Sequence, residues 1–155
     1  MRGFVLDHRR DIAAPAAVVW EVIADLPRYA EWNPFCIECR STLKPGDPID
    51  MVVRLRARPQ RQREWIKECS EGRGFAYAMK PVPLGALSSL RRHRIEALGP
   101  ERTRYDSHFE LRGWLTPLVL ALFRSALTQG FADMSAALQR RAETLWLQRK
   151  SAAPR

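Results

Sequence analysis

The stretch "CIEC" brings two thiols, Cys36 and Cys39, within four residues, a spacing found in zinc sites and redox pairs. A structural zinc site normally needs four ligands, and the chain adds only Cys69 and three dispersed histidines. Side chains three positions apart on a regular strand leave opposite faces, so these thiols could share one ion only across a bulge. We therefore predict no metal and no redox centre here, and packing of Cys39 in the core.

The three histidines are the next groups that could carry chemistry. His93 shares its predicted strand face with Ile95 and Ala97, which predicts that its ring points inward. A buried imidazole favours its neutral form and could act as base, acid or ligand donor. The alternative is a structural role, in which the ring satisfies a backbone carbonyl or lies at the sheet rim. His108 is predicted to face solvent, and the direction of His8 stays open.

The acidic residues provide weaker evidence for a catalytic site than the histidines do. Asp25 follows the first predicted helix and is predicted to cap or pin the turn after it. Glu64 and Glu68 share one predicted strand face with Ile66 and could reach the mouth of an interior cavity, although an unpaired buried carboxylate is costly. We find no carboxylate pair, catalytic triad or glycine-rich phosphate loop in the sequence. A catalytic hypothesis therefore rests on His93, with tyrosine hydroxyls as donors.

The composition is that of an ordinary globular protein, with 46% apolar and 28% charged residues in 155. This length predicts one domain over residues 1–150 and a short tail over residues 151–155. Three cysteines are too few for a disulfide framework, and the N-terminal residues lack the apolar core of a signal peptide. We therefore expect a cytoplasmic protein.

A formal net charge of +9 raises the question of an anionic partner. The basic residues are mostly arginines scattered along the chain, and no zinc-finger, helix-turn-helix or RNP pattern concentrates them. The sequence therefore predicts no nucleic-acid partner. A solvated positive surface is the simplest interpretation, and weak contact with an anionic membrane is the alternative.

Periodicity predicts the elements that position these groups. In "IDMVVRLRAR" (49–58), apolar residues alternate with Arg54, Arg56 and Arg58, which predicts a strand with one buried and one wet face. "APAAVVWEVIADL" predicts a short helix with Pro15 in its first turn. Six further segments have strand character and are separated by turns, namely 3–12, 35–43, 62–70, 74–80, 90–98 and 103–113.

After these strands the period changes to that of a helix. From Pro117 to about Gln148, apolar residues recur at spacings of three and four, which predicts one long helix with a wide apolar stripe. Gly130 interrupts the stripe at a cost of about 1 kcal/mol relative to Ala. This glycine indicates either a close approach to the sheet or space left open.

Five segments together carry a resemblance to a known family: "DIAAPAAVVWEVIADLPRYAEWNPF", "GFAYAM", "HRIEAL", "FELRGWL" and "GFADMSAALQRRAE". In this order they resemble the START-like, polyketide-cyclase-type proteins, which include the Bet v 1 relatives. The resemblance implies an α+β helix-grip fold, in which a curved seven-stranded antiparallel sheet wraps a long C-terminal helix. It also implies two short helices after the first strand and an apolar cavity between sheet and helix.

The resemblance and the strand faces together predict which residues line this cavity. Trp32 is expected near the entrance, the strands are expected to supply the walls, and the helix the floor. The predicted ligand-binding residues are Trp32, Phe35, Ile37, Met51, Val53, Leu55, Phe75, Tyr77, His93, Ile95, Tyr105, Phe109, Leu120, Phe123, Leu127 and Phe131.

Three functional hypotheses follow, and none of them requires a cofactor or a metal. The first is binding of a hydrophobic small molecule, such as a lipid, an isoprenoid or a polyketide-like compound. The second is a cyclase or aromatase that uses His93, with Tyr77 or Tyr105 as hydroxyl donor. The third is a peripheral membrane or protein-assisting module that uses the basic face. The sequence does not indicate the oligomeric state.

Overall fold

Seven strands form one antiparallel sheet in the computed structural model, which describes residues 3–154. The strands are β1 (Phe4–Ile12), β2 (Cys36–Ser41), β3 (Pro48–Val53), β4 (Gln60–Ser70), β5 (Gly74–Ala78), β6 (Ser88–Gly99) and β7 (Arg102–Arg112). Their order across the sheet is β1-β7-β6-β5-β4-β3-β2, so only the β1–β7 pairing joins strands distant in sequence. This meander, closed by the first strand, matches the predicted sheet.

Within residues 3–154, three α-helices accompany the sheet: α1 (Ala16–Ala24), α2 (Tyr29–Trp32) and α3 (Thr116–Ala152). One turn of 3-10 helix, Leu26–Arg28, joins α1 to α2, and another, Pro83–Gly85, lies between β5 and β6. The long helix begins within one residue of the predicted start, and its buried residues include Leu127, Phe131, Met134 and Leu138. The predicted helix-grip fold is confirmed. No helix within residues 3–154 is long and apolar enough to cross a bilayer.

β3 is shorter than its alternating sequence predicts. It ends at Val53, and the arginine-rich segment 54–59 that follows is mostly exposed loop. Pro59 lacks the amide hydrogen that a central strand would use, which favours a break in the ladder before β4 begins. The three arginines at 54, 56 and 58 therefore belong to a loop rather than to the outer face of a strand.

Bulges in β2 and β4 change the inward set of side chains. The register shifts between Cys36 and Glu38, and again between Ile66 and Glu68. A shift by one residue reverses the face of every later side chain. Cys36 and Cys39 are consequently both buried. The expectation that they leave opposite faces is wrong, because the bulge intervenes.

The same bulges correct two other predictions. Ile37 sits at the β2 bulge and is only half-buried, so it does not continue the inward stripe that begins at Phe35. Glu68 lies beyond the β4 bulge and is exposed, where its carboxylate pairs with Arg92 at 2.9 Å. Of the two acids predicted to share one strand face, Glu64 is half-buried and Glu68 is exposed.

Candidate functional site

A cavity of about 430 Å³ lies between the inner face of the sheet and the first half of α3. The helix presents to it residues spaced by four and then three, Val119, Phe123, Leu127, Phe131 and Met134, which is one continuous face. The sheet and adjoining loops supply the rest of the lining: Phe35, Cys36, Met51, Val53, Leu55, Gln60, Gln62, Arg63, Glu64, Tyr77, Met79, Leu87, Ser89, Arg91, Phe109 and Leu111. Most of these side chains are apolar.

Nine of the residues predicted for the cavity line it. They come from both walls and from the floor: Phe35, Met51, Val53, Leu55, Tyr77, Phe109, Phe123, Leu127 and Phe131. Leu120 instead lies in a shallow surface depression with other outer residues of α3. The helical stripe extends back from Phe131 in steps of four, so it reaches Val119 and leaves Leu120 on the outside.

The remaining predicted residues lie away from the cavity. Phe75, His93, Ile95 and Tyr105 are buried on the same inner face, at the other end of the sheet. There α1 covers the sheet, and the Trp20 ring contacts the Phe75 ring with 6.3 Å between centroids.

Two strands demonstrate this division of the inner face. β6 runs from Ser89 and Arg91, in the cavity wall, to His93 and Ile95 at the packed end. Its antiparallel neighbour β7 runs the opposite way, so Ile95 pairs with Tyr105, and Arg91 pairs with Phe109. Strand alternation selects the inner face, whereas the covering helices decide which half of it stays open.

Trp32 does not stand at the mouth of this cavity. It packs edge-on against Tyr29, with 5.0 Å between ring centroids, and borders a surface depression between α1 and the far part of α3. The predicted entrance residue is thus a structural aromatic of the α2 turn. The part of "EWNPF" that reaches the cavity is Phe35.

Asn33 and Gly130 hold Phe35 in the cavity wall. The buried Asn33 Oδ1 accepts hydrogen bonds from the backbone amides of Phe35 at 3.0 Å and Cys36 at 2.9 Å. The Phe35 ring lies over Gly130, where a Cβ would stand 2.2 Å from its nearest ring carbon. It also contacts Phe131 edge-on at 4.9 Å between centroids. Of the two interpretations of Gly130, close approach to the sheet side of the fold is therefore correct.

Arg91 is a functional candidate that the sequence interpretation missed. Its side chain lies in the cavity wall although the residue is only 2% exposed. Nη1 donates to Ser107 Oγ at 2.5 Å and to the His108 carbonyl at 3.3 Å, and the guanidinium lies 4.4 Å from the centroid of the Phe131 ring. The available signal was strand parity, since Arg91 alternates in step with His93.

Glu64 faces the same cavity from β4. Its Oε1 accepts a hydrogen bond from Ser89 Oγ at 3.1 Å. Burial raises the pKa of the Glu64 carboxyl, while the Ser89 hydrogen bond and the positive charge of Arg91 lower it less strongly. The cavity therefore combines an acid with a raised pKa and a buried guanidinium, both within an apolar lining.

His93 is inward, as predicted, and its ring is held among aromatic residues. Its Nδ1 and the Tyr105 hydroxyl are joined by a hydrogen bond of 2.7 Å, and the Phe75 ring lies 4.7 Å away between centroids. Burial lowers the pKa of His93 well below its usual value, and Arg91 adds to the effect. His93 is nevertheless absent from the lining of the cavity, as are Phe75 and Tyr105.

The other titratable residues considered from the sequence are peripheral. His108 lies on the outer face and bonds Asp7 at 2.6 Å, as its alternation predicts. Asp25 forms no side-chain cap at either helix boundary but pairs with Arg28 at 3.3 Å. Across residues 3–154, no three His, Cys, Asp or Glu side chains are grouped to hold a metal ion.

A family model described as polyketide cyclase/dehydrase and lipid transport matches residues 4–143. The chain belongs to this family. No curated protein matches the chain.

Solved structures of the family's fold resemble the chain along almost its whole length. A START superfamily protein from Mycobacterium smegmatis has a TM-score of 0.69 and 17% identity, with 91% of this chain and 98% of that chain covered. The Zhui aromatase/cyclase from Streptomyces sp. R1128 has a TM-score of 0.67 and 18% identity, with 97% and 98% covered. Norcoclaurine synthase from Thalictrum flavum, in complex with dopamine and hydroxybenzaldehyde, has a TM-score of 0.67 and 15% identity, with 99% of this chain and 90% of that chain covered. At these identities the likeness establishes the fold alone.

Proposed function

We propose that this member of the polyketide cyclase/dehydrase and lipid transport family binds a hydrophobic small molecule in the cavity between its sheet and α3. The observation that carries the proposal is the largely apolar cavity of about 430 Å³. This volume lies in the range of roughly 300–1,000 Å³ typical of small-molecule sites. A lipid, an isoprenoid or a polyketide-like compound has the apolar body that such walls favour.

A cavity-filling variant tests this proposal. Val53 is buried in the wall, so Val53→Phe places a larger ring into the space that a ligand would occupy. Val5 is 44% exposed on β1, so Val5→Phe is a matched control. We expect Val53→Phe to weaken binding of the neutral apolar dye Nile red by about tenfold or more, which corresponds to roughly 1.4 kcal/mol. Equal binding by the two variants and the unmodified protein would place the dye elsewhere and contradict the proposal.

The natural ligand can be sought directly. Native mass spectrometry of the protein purified from its host would detect a co-purifying molecule by its added mass. A noncovalent adduct with the mass of a lipid, isoprenoid or polyketide, lost in Val53→Phe and kept in Val5→Phe, would support the proposal and identify the ligand class.

A cyclase or aromatase activity would need a different arrangement from the one expected from the sequence. His93 lies behind the cavity wall and is hydrogen-bonded to Tyr105, so it could act on a ligand only indirectly. The acid and the oxyanion donor available in the wall are Glu64 and Arg91. If His93 were catalytic, His93→Ala should abolish turnover of a polyketide substrate while sparing its binding.

Membrane contact is a second candidate function, supported by a cluster of exposed apolar residues at the start of α3. Leu84 is 93% exposed, and Trp114, Leu118 and Leu122 are each more than half exposed. The Trp114 indole N–H donates to the Leu84 carbonyl at 3.2 Å, which joins the 3-10 turn to the start of the helix. Exposed apolar groups in such a cluster are typical of interaction surfaces.

The basic loop 54–59 contacts the same half of α3. The Arg56 guanidinium stands 4.8 Å from the centroid of the Phe123 ring, which is on α3 one residue after Leu122. Positive charge next to exposed Leu and Trp side chains suits an anionic bilayer. Vesicles of phosphatidylcholine, with and without phosphatidylserine, test this in a flotation assay. We expect the protein to bind only the anionic vesicles and to lose this binding at 1 M salt. If binding is retained after Arg54, Arg56 and Arg58 are changed to Gln, membrane contact through this loop is contradicted.

A further inference from the structure

The Arg91 guanidinium is a buried cation whose identified partners are all uncharged. They are Ser107 Oγ, the His108 carbonyl, the Met134 sulfur at 3.7 Å from Nη2, and the face of the Phe131 ring. Within residues 3–154, no carboxylate oxygen comes within 4.0 Å of its nitrogens. Its Nε is buried and has no hydrogen-bond acceptor among these residues.

Burying such a cation is costly unless an anion compensates it. Glu64 is the carboxylate that shares the cavity wall, but it is bonded by Ser89 and its pKa is raised by burial, which disfavours its charged form. Arg91 therefore gives the cavity a buried positive charge, whereas Arg63, the other arginine of the lining, is exposed and paired with Asp50 at 2.6 Å. A guanidinium offers several N–H donors in a planar fork, the geometry that matches a carboxylate.

We propose that the ligand of this cavity is amphipathic, with one carboxylate that binds Arg91 and an apolar body that lies against Phe123 and Leu127. This inference rests on the proposed function and names the class of ligand. A neutral apolar compound would fill the same walls but leave the Nε–H without an acceptor. A carboxylate supplies both an acceptor and the missing negative charge, whereas an alcohol supplies only an acceptor, so the cavity should prefer acids to alcohols of equal chain length.

The preference is measured with a matched pair of probes, decanoate and decanol, by displacement of Nile red at pH 7.5. Both probes have the same number of carbons, and they differ in the charge and acceptors of the head group. A charge-assisted hydrogen bond is stronger than a neutral one, so decanoate is expected to bind roughly 10- to 100-fold more tightly than decanol, which corresponds to about 1.4–2.8 kcal/mol.

Arg91→Met locates the effect. Methionine keeps much of the length and removes the charge, so decanoate should fall to the affinity of decanol while decanol binding persists. Arg94→Met is the matched control, because Arg94 is exposed on the outer face of the same strand. It removes one positive charge at a distance from the cavity and should keep the preference for the acid.

Two further measurements do not require Arg91→Met to fold. Glu64→Gln removes the carboxyl group of the cavity wall, whose ionised form would repel a bound carboxylate, so decanoate binding should be kept or tightened while decanol binding stays nearly unchanged. In ¹⁵N-labelled unmodified protein, the Arg91 Nε–H resonance, assigned with Arg91→Lys, should shift on addition of decanoate and much less on addition of decanol.

The outcomes separate this inference from the proposed function. If decanol and decanoate bind equally to the unmodified protein and to Arg91→Met, the cavity binds apolar ligands but Arg91 does not select their head group, and the inference is overturned. If neither probe nor Nile red is affected by Val53→Phe, the proposed function itself fails. If Arg91→Met loses the preference for the acid but still binds decanol, the result supports both the proposed function and the role of Arg91.

Discussion

Gly130→Ala tests how the cavity wall is held between helix and sheet. On an isolated helix this change is favourable by about 1 kcal/mol. Here the new Cβ would stand 2.2, 2.4 and 2.7 Å from three carbons of the Phe35 ring, whereas ordinary contacts begin near 3.4 Å. The ring would have to move by about 1.2 Å, the difference between 3.4 and 2.2 Å.

The Phe35 ring has little freedom to make that movement. Its backbone is held by Asn33, and its ring packs against Phe131, while the cavity lies on its open side. Overpacking of this kind costs about 1–3 kcal/mol. After the gain of about 1 kcal/mol in helix propensity is subtracted, we expect Gly130→Ala to lower the free energy of unfolding by up to about 2 kcal/mol. We also expect it to push the Phe35 ring into the cavity and so to weaken Nile red binding.

Urea unfolding measures this change as a lower midpoint with an unchanged m-value. Thr128→Ala, at an exposed position of the same helix, is the control that isolates the gain in helix propensity. In a Phe35→Ala background all three of these ring carbons are absent, so Gly130→Ala should become neutral or stabilising. If Gly130→Ala stabilises the unmodified protein as much as Thr128→Ala does, the Phe35 ring does not lie on Gly130 and the reasoning is refuted.

Two further predictions concern the packed end of the sheet. Because the pKa of His93 is lowered in the native state, only the unfolded state gains its proton just below pH 6.5. The free energy of unfolding should therefore fall as the pH drops below 6.5, by up to about 1.4 kcal/mol per pH unit from this residue. Urea unfolding between pH 7.5 and 5 should show that His93→Gln loses this part of the pH dependence. An identical pH dependence in both proteins would contradict the prediction. Gly74 has φ +143°, and a Cβ there would lie 2.0 Å from the His93 carbonyl oxygen, so Gly74→Ala should lower the free energy of unfolding by about 2–4 kcal/mol. Gly72→Ala is the control and should cost less, because Gly72 has φ +75° and open space around it. Equal costs would exclude the contact with His93 as the cause.

Local sequence patterns were sufficient for most of the fold. Alternation identified the strands, and the three-and-four spacing identified α3, because each pattern depends only on which face of one element is buried. The same logic selected Phe35, Met51 and Val53 as cavity residues. It failed where a single element is irregular: the bulge after Cys36 moved Ile37 off the inner wall, and no turn residue marks that bulge in the sequence.

The buried arginine of the site could not be predicted from strand alternation alone. Arg91 alternates in step with His93, yet an arginine on a strand is usually assigned to solvent, since burying its charge is costly. Ser107 from β7, together with Phe131 and Met134 from α3, makes that burial tolerable, and these partners lie 16 to 43 residues away in sequence. Contacts of this kind cannot be read from one strand.

The sequence by itself determined the order of the elements and most of their inward faces, since these depend on local periodicity, and its resemblance to a known family predicted the helix-grip fold. Tertiary structure alone decided which half of the inner face is open. α1 closes the end that holds His93 and Tyr105, and α3 leaves the end that holds Arg91 and Glu64 as a cavity. The physical reason is that alternation orients a side chain, whereas exposure to a cavity depends on what packs above it.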